Sequence, residues 1–285
     1  YEVSDRNVVG GGIAENERFI KKVGKGDGQI AAMMGMHAAF TLSDETLEKC
    51  VSIAKDGGVG CHIHVAEDLA DREDSLKKYN TPIVHRLQKM GVTGKKSIFV
   101  HCVHIDEDEM DIVAKTGTAI VHNPESNMNN AVGVTQVLKM LEKGILVGLG
   151  TDGMGSDMLV QMRAAYLLHR LANHDPRVAF MEAPQMLLQN NAEIAERQFG
   201  LCLGEIAEGR PADLAIIDYY PPTPLSEANF LGHLIFGLVD ATVDTTVCKG
   251  KILMKGKNIL GMDEERLAAR SRELAPKMWQ RLQEL

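Results

Sequence analysis

The sequence predicts a parallel β/α barrel followed by a small β unit, and two observations lead to this fold class. Short apolar runs alternate with helical segments over the first 199 residues, which is typical of a parallel sheet covered by helices. Several of these runs end in a histidine or a carboxylate, and a barrel brings the ends of its strands together at one face. At 285 residues the chain can bury one large core beside a smaller unit.

The apolar runs predict five strands, at residues 28–40, 60–67, 97–102, 118–122 and 145–150. Helical periodicity predicts helices at residues 44–55, 82–91, 106–116, 134–143, 157–172, 179–189 and 192–199. Residues 1–3 have the composition of a further short strand. A closed barrel has eight strands, so we expect the chain to lack the first strands of its barrel.

The character of the sequence changes at Gly200. Short apolar stretches separated by turn residues follow up to residue 262, and a helical pattern then runs from 263 to 285. We therefore predict two domains. The first is an N-terminally incomplete barrel at 1–199, and the second is a small β appendage with a closing helix at 200–285.

Composition excludes several classes of partner. The net charge of −8 argues against a nucleic-acid or anionic membrane surface, because such surfaces need clustered Lys and Arg. The longest apolar stretch, residues 30–40, is too short for a membrane span. Five cysteines without CxxC spacing indicate a reducing compartment. We expect a cytoplasmic protein with no nucleic-acid or membrane partner, and a homo-oligomer is left open.

His64 and Glu67 form an HxxE pair at the end of the second strand. Strand alternation directs His64 to one face of the sheet and leaves Glu67 just beyond the strand. A neutral imidazole binds metal and a neighbouring carboxylate moves protons, although an isolated HxxE more often bonds loop backbone. His62 shares the face of His64, where it either lines the interior or is a hydrogen-bonded core histidine.

Three further strand ends carry polar residues. His101 ends the third strand and is placed to orient or deprotonate a metal-bound water. Asp152, in a Gly-Thr-Asp-Gly segment, can bind metal and accept a proton, or it makes a turn before a helix. His122 and Asn127 bound a polar loop where a substrate would be contacted. Together these positions predict a metal-assisted hydrolase.

The motifs resemble those of the amidohydrolase superfamily and run in its order over nearly the whole chain. They are HIHVAE, VHCVH, VHNPESNMNNAVG, GLGTDG and GEIAEGRPADLAIID. The resemblance is to the aminohydrolase and chlorohydrolase branch that includes guanine deaminase, and within it most closely to the SsnA group of aminohydrolases. It implies a TIM-like (β/α)8 barrel that deaminates an amino-substituted heterocycle, such as a purine, pyrimidine or triazine, with a metal-activated water. The class implied is hydrolysis of carbon–nitrogen bonds other than peptide bonds.

The resemblance also implies roles for individual residues. His64, Asp152 and His101 become metal ligands for one divalent ion, with zinc expected and iron as the alternative. Glu67, His101 and Asp152 become the catalytic groups, with Glu67 as the proton shuttle. The substrate contacts implied by the resemblance are His37, His122 and Asn127. The partners are then a small heterocyclic substrate and water.

One element of the family pattern is not found in this sequence. The first-strand HxH pair supplies two further ligands in the family, whereas the HxH here, His62 and His64, belongs to a later strand. We therefore expect this chain to bind metal weakly and to be inactive by itself. The alternatives are dechlorination or cyclic-amide hydrolysis at the same site, or a non-catalytic scaffold or partner subunit. Retention of Glu67 and Asp152 argues against a scaffold.

Overall fold

A computed structural model describes residues 6–24 and 28–284 of the chain. These residues form two compact units. The first unit contains the described residues up to Arg210 together with Pro221–Asp240, and the second contains Pro211–Tyr220 and the described residues from Ala241 onward. The strand predicted at residues 1–3 lies outside the described residues.

The first unit is built on a five-stranded parallel sheet in the order β1–β2–β3–β4–β5. The strands are β1 (Met34–Ala38), β2 (Cys61–Val65), β3 (Ile98–His101), β4 (Ala119–His122) and β5 (Val147–Leu149). Each strand pairs with the next one along the chain, as the strands of a β/α barrel do. The five predicted strands and their predicted parallel arrangement with covering helices are confirmed, although each strand is shorter than its apolar run.

Helices follow the strands and cover the sheet. They are α1 (Arg6–Val23), α2 (Asp44–Asp56), α3 (Leu69–Tyr79), α4 (Ile83–Lys89), α5 (Glu107–Thr116), α6 (Pro124–Asn129), α7 (Val137–Glu142), α8 (Met158–Asn173), α9 (Glu182–Gln185), α10 (Asn191–Phe199) and α11 (Phe230–Phe236). A π-helical turn, Met186–Asn190, joins α9 to α10. The seven predicted helices are present, whereas α1, α3, α6 and α11 were not predicted. Within the described residues, no helix is both long and apolar enough to cross a bilayer.

The two faces of the sheet pack differently. Ile63, Phe99 and Ile120 alternate onto one face and are fully buried in the main hydrophobic cluster, which the helices complete. Ile98 and Val100 lie on the opposite face in a smaller cluster that Ile194 of α10 joins. In the register of β2 with β3, His62 and His64 pair with Ile98 and Val100, so both histidines lie on this second face.

The second unit is a small antiparallel sheet with a long helix. Its strands β6 (Leu214–Asp218), β7 (Thr242–Cys248), β8 (Lys251–Lys255) and β9 (Asn258–Ile259) pair in that order. The helix α12 (Glu264–Gln283) begins at Asp263, whose side chain accepts a hydrogen bond from the backbone of Arg266. The predicted β appendage and closing helix are confirmed as elements of the fold.

The predicted domain boundary at residue 200 stays a prediction, and the compact units divide the chain differently. Residues 221–240 belong to the first unit because α11 inserts Leu234 and Ile235 into the main hydrophobic cluster. The ion pair of Arg163 in α8 with Asp240, at 3.1 Å, also lies within this unit. The chain therefore enters the second unit, returns to the first and enters the second again.

Candidate active site

Four polar side chains from three strand ends converge at one point. His64 Nδ1 lies 3.0 Å from His101 Nε2, and Glu67 Oε2 lies 3.5 Å from the same nitrogen. Asp152 Oδ2 is 3.9 Å from that nitrogen. The predicted convergence of Glu67, His101 and Asp152 is therefore present, although the three residues are up to 85 positions apart in the sequence.

Backbone conformation at the strand ends turns these side chains towards one another. His101 has φ 70° and Asp152 has φ 50°, both in the left-handed region that few non-glycine residues adopt. Alternation along β3 would otherwise place His101 on the face of Phe99, among the helices. The left-handed backbone instead brings its ring beside His64 on the opposite face. Such strain is typical of functional sites.

The electrostatic environment keeps His64 and Asp152 in the protonation states that bind metal. Burial lowers the pKa of His64, and the neighbouring His101 lowers it further, so the imidazole is neutral at pH 7. Burial alone would raise the pKa of Asp152, but a hydrogen bond from Ser126 and the proximity of His101 outweigh it and hold this pKa below its usual value. Neutral imidazole and ionised carboxylate are the forms that ligate a divalent ion.

The arrangement fits a divalent metal ion. Two imidazole nitrogens 3.0 Å apart are near the separation of ~3.3 Å expected between neighbouring ligands of a tetrahedral zinc at ~2.05 Å. The ligand atoms of His64, Glu67 and His101 all lie within 4.8 Å of one another. This compact group differs from the predicted ligand set, because Glu67 replaces Asp152 in it. Nitrogen and carboxylate donors suit zinc or iron.

Two further histidines border this cluster. The exposed His37 ring in β1 lies 5.8 Å from the His64 ring, between centroids, and His37 Nδ1 is 3.1 Å from Thr41 Oγ1. Its position beside the cluster agrees with the predicted substrate contact, which stays a prediction. His62 lies 6.2 Å from His64, and burial lowers its pKa. His62 therefore lines the same face in its neutral form.

Neither His122 nor Asn127 is placed to contact a substrate, although Asn127 lies against His101 of the cluster. Both side chains are fully buried. His122 shares the face of Ile120, and its Nε2 lies 3.3 Å from Nε2 of His169 in α8. Burial and the neighbouring His169 hold the pKa of His122 well below its usual value. The prediction placed His122 at a strand end, but the face of a strand-end residue depends on local alternation, which here directs it to the helices.

Three residues that follow β4 support the cluster; Ser126 and Asn130 were not predicted, and Asn127 was predicted as a substrate contact instead. Ser126 donates a hydrogen bond to Asp152 Oδ2, and Asn130 Nδ2 donates to Glu67 Oε1 at 3.1 Å. Asn127 Oδ1 lies 2.8 Å from His101 Nδ1. The available sequence signal was the density of polar residues in the Asn-Pro-Glu-Ser-Asn segment, which predicted a substrate loop instead.

Asp71 in α3 supports the loop that carries Glu67. Its carboxylate accepts a hydrogen bond from the Ala66 backbone at 2.6 Å, and only 2% of the residue is exposed. Burial raises the pKa of Asp71 to about 7. The folded protein therefore holds a proton on Asp71 at a pH where the unfolded chain, with an ordinary pKa near 3.8, has lost it.

We expect this protonation to make stability depend on pH. Between about pH 4 and pH 7 the folded state binds more protons at Asp71 than the unfolded state does, so the free energy of unfolding falls as pH rises. The contribution is of the order of a few kcal/mol. Asp71→Asn should flatten this slope in urea titrations at a series of pH values, whereas Asp111→Asn at an exposed carboxylate should not. An unchanged slope in Asp71→Asn would contradict the assignment.

Comparison with known proteins agrees with this geometry. The model of the amidohydrolase family matches residues 9–253. The chain belongs to the amidohydrolase family. The 5-methylthioadenosine/S-adenosylhomocysteine deaminase of Pelotomaculum thermopropionicum is 36% identical over 270 residues, which are 92% of this chain and 61% of that protein. The 5'-deoxyadenosine deaminase of Methanosarcina mazei is 33% identical over 272 residues, covering 93% of this chain and 62% of that protein.

A solved structure has a similar fold. The adenosine deaminase from Xanthomonas campestris with bound zinc superposes with a TM-score of 0.82 at 23% identity, covering 94% of this chain and 61% of that one. This likeness supports the β/α barrel architecture of the first unit. The chain spans about three fifths of the length of the curated relatives described above.

Proposed function

We propose that the protein containing this chain is a metal-dependent hydrolase that deaminates an adenosine derivative modified at its 5' position. One observation carries this proposal: four side chains converge at the same end of the parallel sheet, namely those of His64, Glu67, His101 and Asp152. The names of the two relatives, both deaminases of such nucleosides, support the choice of substrate among amino-substituted heterocycles. The ionisable carboxylates would have no purpose in a scaffold, which argues against the non-catalytic alternative.

The metal-binding residues proposed here are His64 and His101, together with one or both carboxylates of Glu67 and Asp152. Zinc is the proposed ion and iron the alternative. A bound zinc ion lowers the pKa of a water ligand to about 7, so that a nucleophile is available at neutral pH. The residues of the chain then orient the water and move its protons.

The proposed reaction replaces the amino group of the purine ring by an oxygen. Asp152, ionised at neutral pH, accepts a proton as water attacks the carbon that bears the amino group. Glu67 delivers a proton to the adjacent ring nitrogen, while His101 would help to hold the metal through Nε2. The proton on Asp152 passes to the departing nitrogen, which leaves as ammonia, and the remaining hydroxyl proton returns to Glu67 as the ring carbon becomes a carbonyl. His37, exposed beside His64, is proposed to contact the ring.

The metal assignment predicts that His64→Ala will weaken zinc binding more than any change outside the cluster. Loss of one of three or four ligands removes a direct bond to the metal, so we expect the affinity for zinc to fall by roughly 10²-fold or more. Removing a residue that only hydrogen-bonds to a ligand typically lowers metal affinity by about 10- to 100-fold. Competition titration with a chromogenic chelator measures the affinity. His85→Gln on α4 is the matched control, and equal zinc affinity in wild type and His64→Ala would contradict the assignment.

Ammonia release tests the proposed activity directly. The zinc-loaded protein that contains this chain is offered 5'-methylthioadenosine, S-adenosylhomocysteine, 5'-deoxyadenosine and adenosine, and we expect ammonia from at least one of the 5'-modified nucleosides. Protein that binds zinc but releases ammonia from none of them would refute the proposal. Chloride release from atrazine without any deamination would instead support dechlorination.

A further inference from the structure

One short segment after β4 contacts three of the four side chains in the cluster. We call α6 with its C-cap residue Asn130 the support helix. Ser126 donates to Asp152, Asn127 contacts the ring of His101, and Asn130 donates to Glu67. The partners lie at the ends of three different strands, β5, β3 and β2. A single helical turn is therefore in contact with each proposed proton carrier and with His101.

The hydrogen bonds around Asn127 have a determined direction. Thr135 Oγ1 lies 3.0 Å from the carbonyl oxygen of His101, which can only accept, so the hydroxyl proton is donated there. The same hydroxyl lies 3.2 Å from Asn127 and must accept from it, which places the amide Nδ2 of Asn127 towards Thr135. The remaining amide oxygen, Oδ1, therefore faces His101 Nδ1 at 2.8 Å.

This direction decides where His101 carries its proton. Asn127 Oδ1 has no hydrogen to donate, so His101 Nδ1 must donate, and the neutral ring has its lone pair on Nε2. Nε2 is the nitrogen that faces His64, Glu67 and Asp152. The opposite tautomer would place a proton at the centre of the cluster and two acceptors in contact on the far side of the ring.

The support helix is itself anchored in the core. Asn127 and Thr135 expose no more than 1% of their surface, and Gln161 of α8 is fully buried. Gln161 Nε2 donates to the Glu125 carboxylate, and its Oε1 accepts from the Glu125 backbone at 3.4 Å. Pro124 occupies the first turn of α6, where its missing N–H costs nothing. The amide of Asn127 is therefore held by fixed neighbours.

We propose that the support helix is a positioning element, in which Asn127 and Thr135 set the tautomer of His101 so that Nε2 presents its lone pair to the active site. Ser126 and Asn130 orient Asp152 and Glu67 in the same way. The catalytic importance of this element rests on the proposed function, whereas the tautomer does not. Asn127 and Thr135 are positioning residues, because their contacts are to His101 and to each other.

Nitrogen-15 NMR of the metal-free protein, with histidine labelled in the ring, tests this directly. The His101 signals are identified by their loss in His101→Gln. We expect the wild type to show a proton on Nδ1 and none on Nε2. A wild-type His101 with its proton on Nε2 would overturn the proposal, and this measurement needs no substrate, so it is independent of the proposed deamination.

Variants of Asn127 separate positioning from folding. Asn127→Leu fills similar space but cannot accept, and we expect His101 to populate the Nε2–H tautomer and zinc affinity to fall by roughly 10- to 100-fold. Asn127→Asp accepts from Nδ1 as the native residue does and should restore the native tautomer. Unchanged signals from the other histidines would show that Asn127→Leu is folded. If His101 in that folded variant were still protonated on Nδ1, the role of Asn127 would be refuted. Should Asn127→Leu not fold, Thr135→Val is the second variant, with the same expected direction and the same refuting result.

Discussion

Glu67→Gln is expected to lower turnover by about 10²- to 10⁴-fold while the protein keeps its metal. Glutamine has the shape of glutamate and can still accept a hydrogen bond from Asn130, but it cannot take up and deliver a proton. The proposed protonation of the ring nitrogen then has no donor. Steady-state kinetics on a 5'-modified adenosine and metal analysis of the same preparations measure the two effects.

Glu73→Gln is the matched control for this change. Glu73 lies on the exposed surface of α3, six residues from Glu67, and belongs to no part of the cluster. Turnover in Glu67→Gln within tenfold of the wild type would show that Glu67 is not the proton carrier. A parallel loss of metal would show that Glu67 is a ligand, as its place in the compact group with His64 and His101 also allows.

Gly60→Ala is expected to destabilise the fold by about 3 kcal/mol or more, at the upper end of what overpacking causes. Gly60 immediately precedes β2, and a Cβ there would lie 1.9 Å from the Lys96 carbonyl oxygen and 2.1 Å from its carbon. These are backbone atoms of the segment just before β3, so no rotamer change relieves the clash. Only separation of β2 from β3 makes room, and that disturbs the strands that carry His64 and His101.

Gly232→Ala provides the comparison for Gly60→Ala. Gly232 lies inside α11, and an added Cβ would meet nothing within 4 Å. Alanine favours a helix over glycine by roughly 0.5–1 kcal/mol, so this variant should be slightly more stable than the wild type. Urea titrations of both variants measure the difference. A Gly60→Ala midpoint equal to that of the wild type would mean that the two backbones are not in contact.

The strands of the first unit were predictable because their sequences satisfy two requirements at once. Each is apolar enough to be buried on both faces, and each ends in a turn or a helix start. The helices that were not predicted lack a comparably clear sequence signal. The three consecutive glycines at 10–12 in α1 lower helix propensity, and α3 is so rich in charged residues that no apolar stripe marks it. Tertiary contacts decide these segments.

The candidate site was predictable only in its strand-end residues. His64, Glu67, His101 and Asp152 could be found because a parallel barrel gathers strand ends, whatever their separation in sequence. Ser126, Asn130 and Asp71 could not, because their partners depend on how loops cross the mouth of the sheet. His122 shows that a strand-end position alone is not sufficient. Its place at the end of β4 was predicted correctly, but its side chain faces the helices and not the cluster.

The support helix also implies that the loops around the mouth differ in how freely they can change length during divergence. An insertion or deletion between Asn123 and Asn130 would shift three bonded side chains at once, so this connection should have a fixed length among relatives that keep the same chemistry. The connection after β5 is different: residues 154–156 are exposed, and the Met154 backbone N–H donates to the carbonyl of Thr151. New substrate preferences can therefore arise by lengthening that connection, with the positions of the reacting groups unchanged.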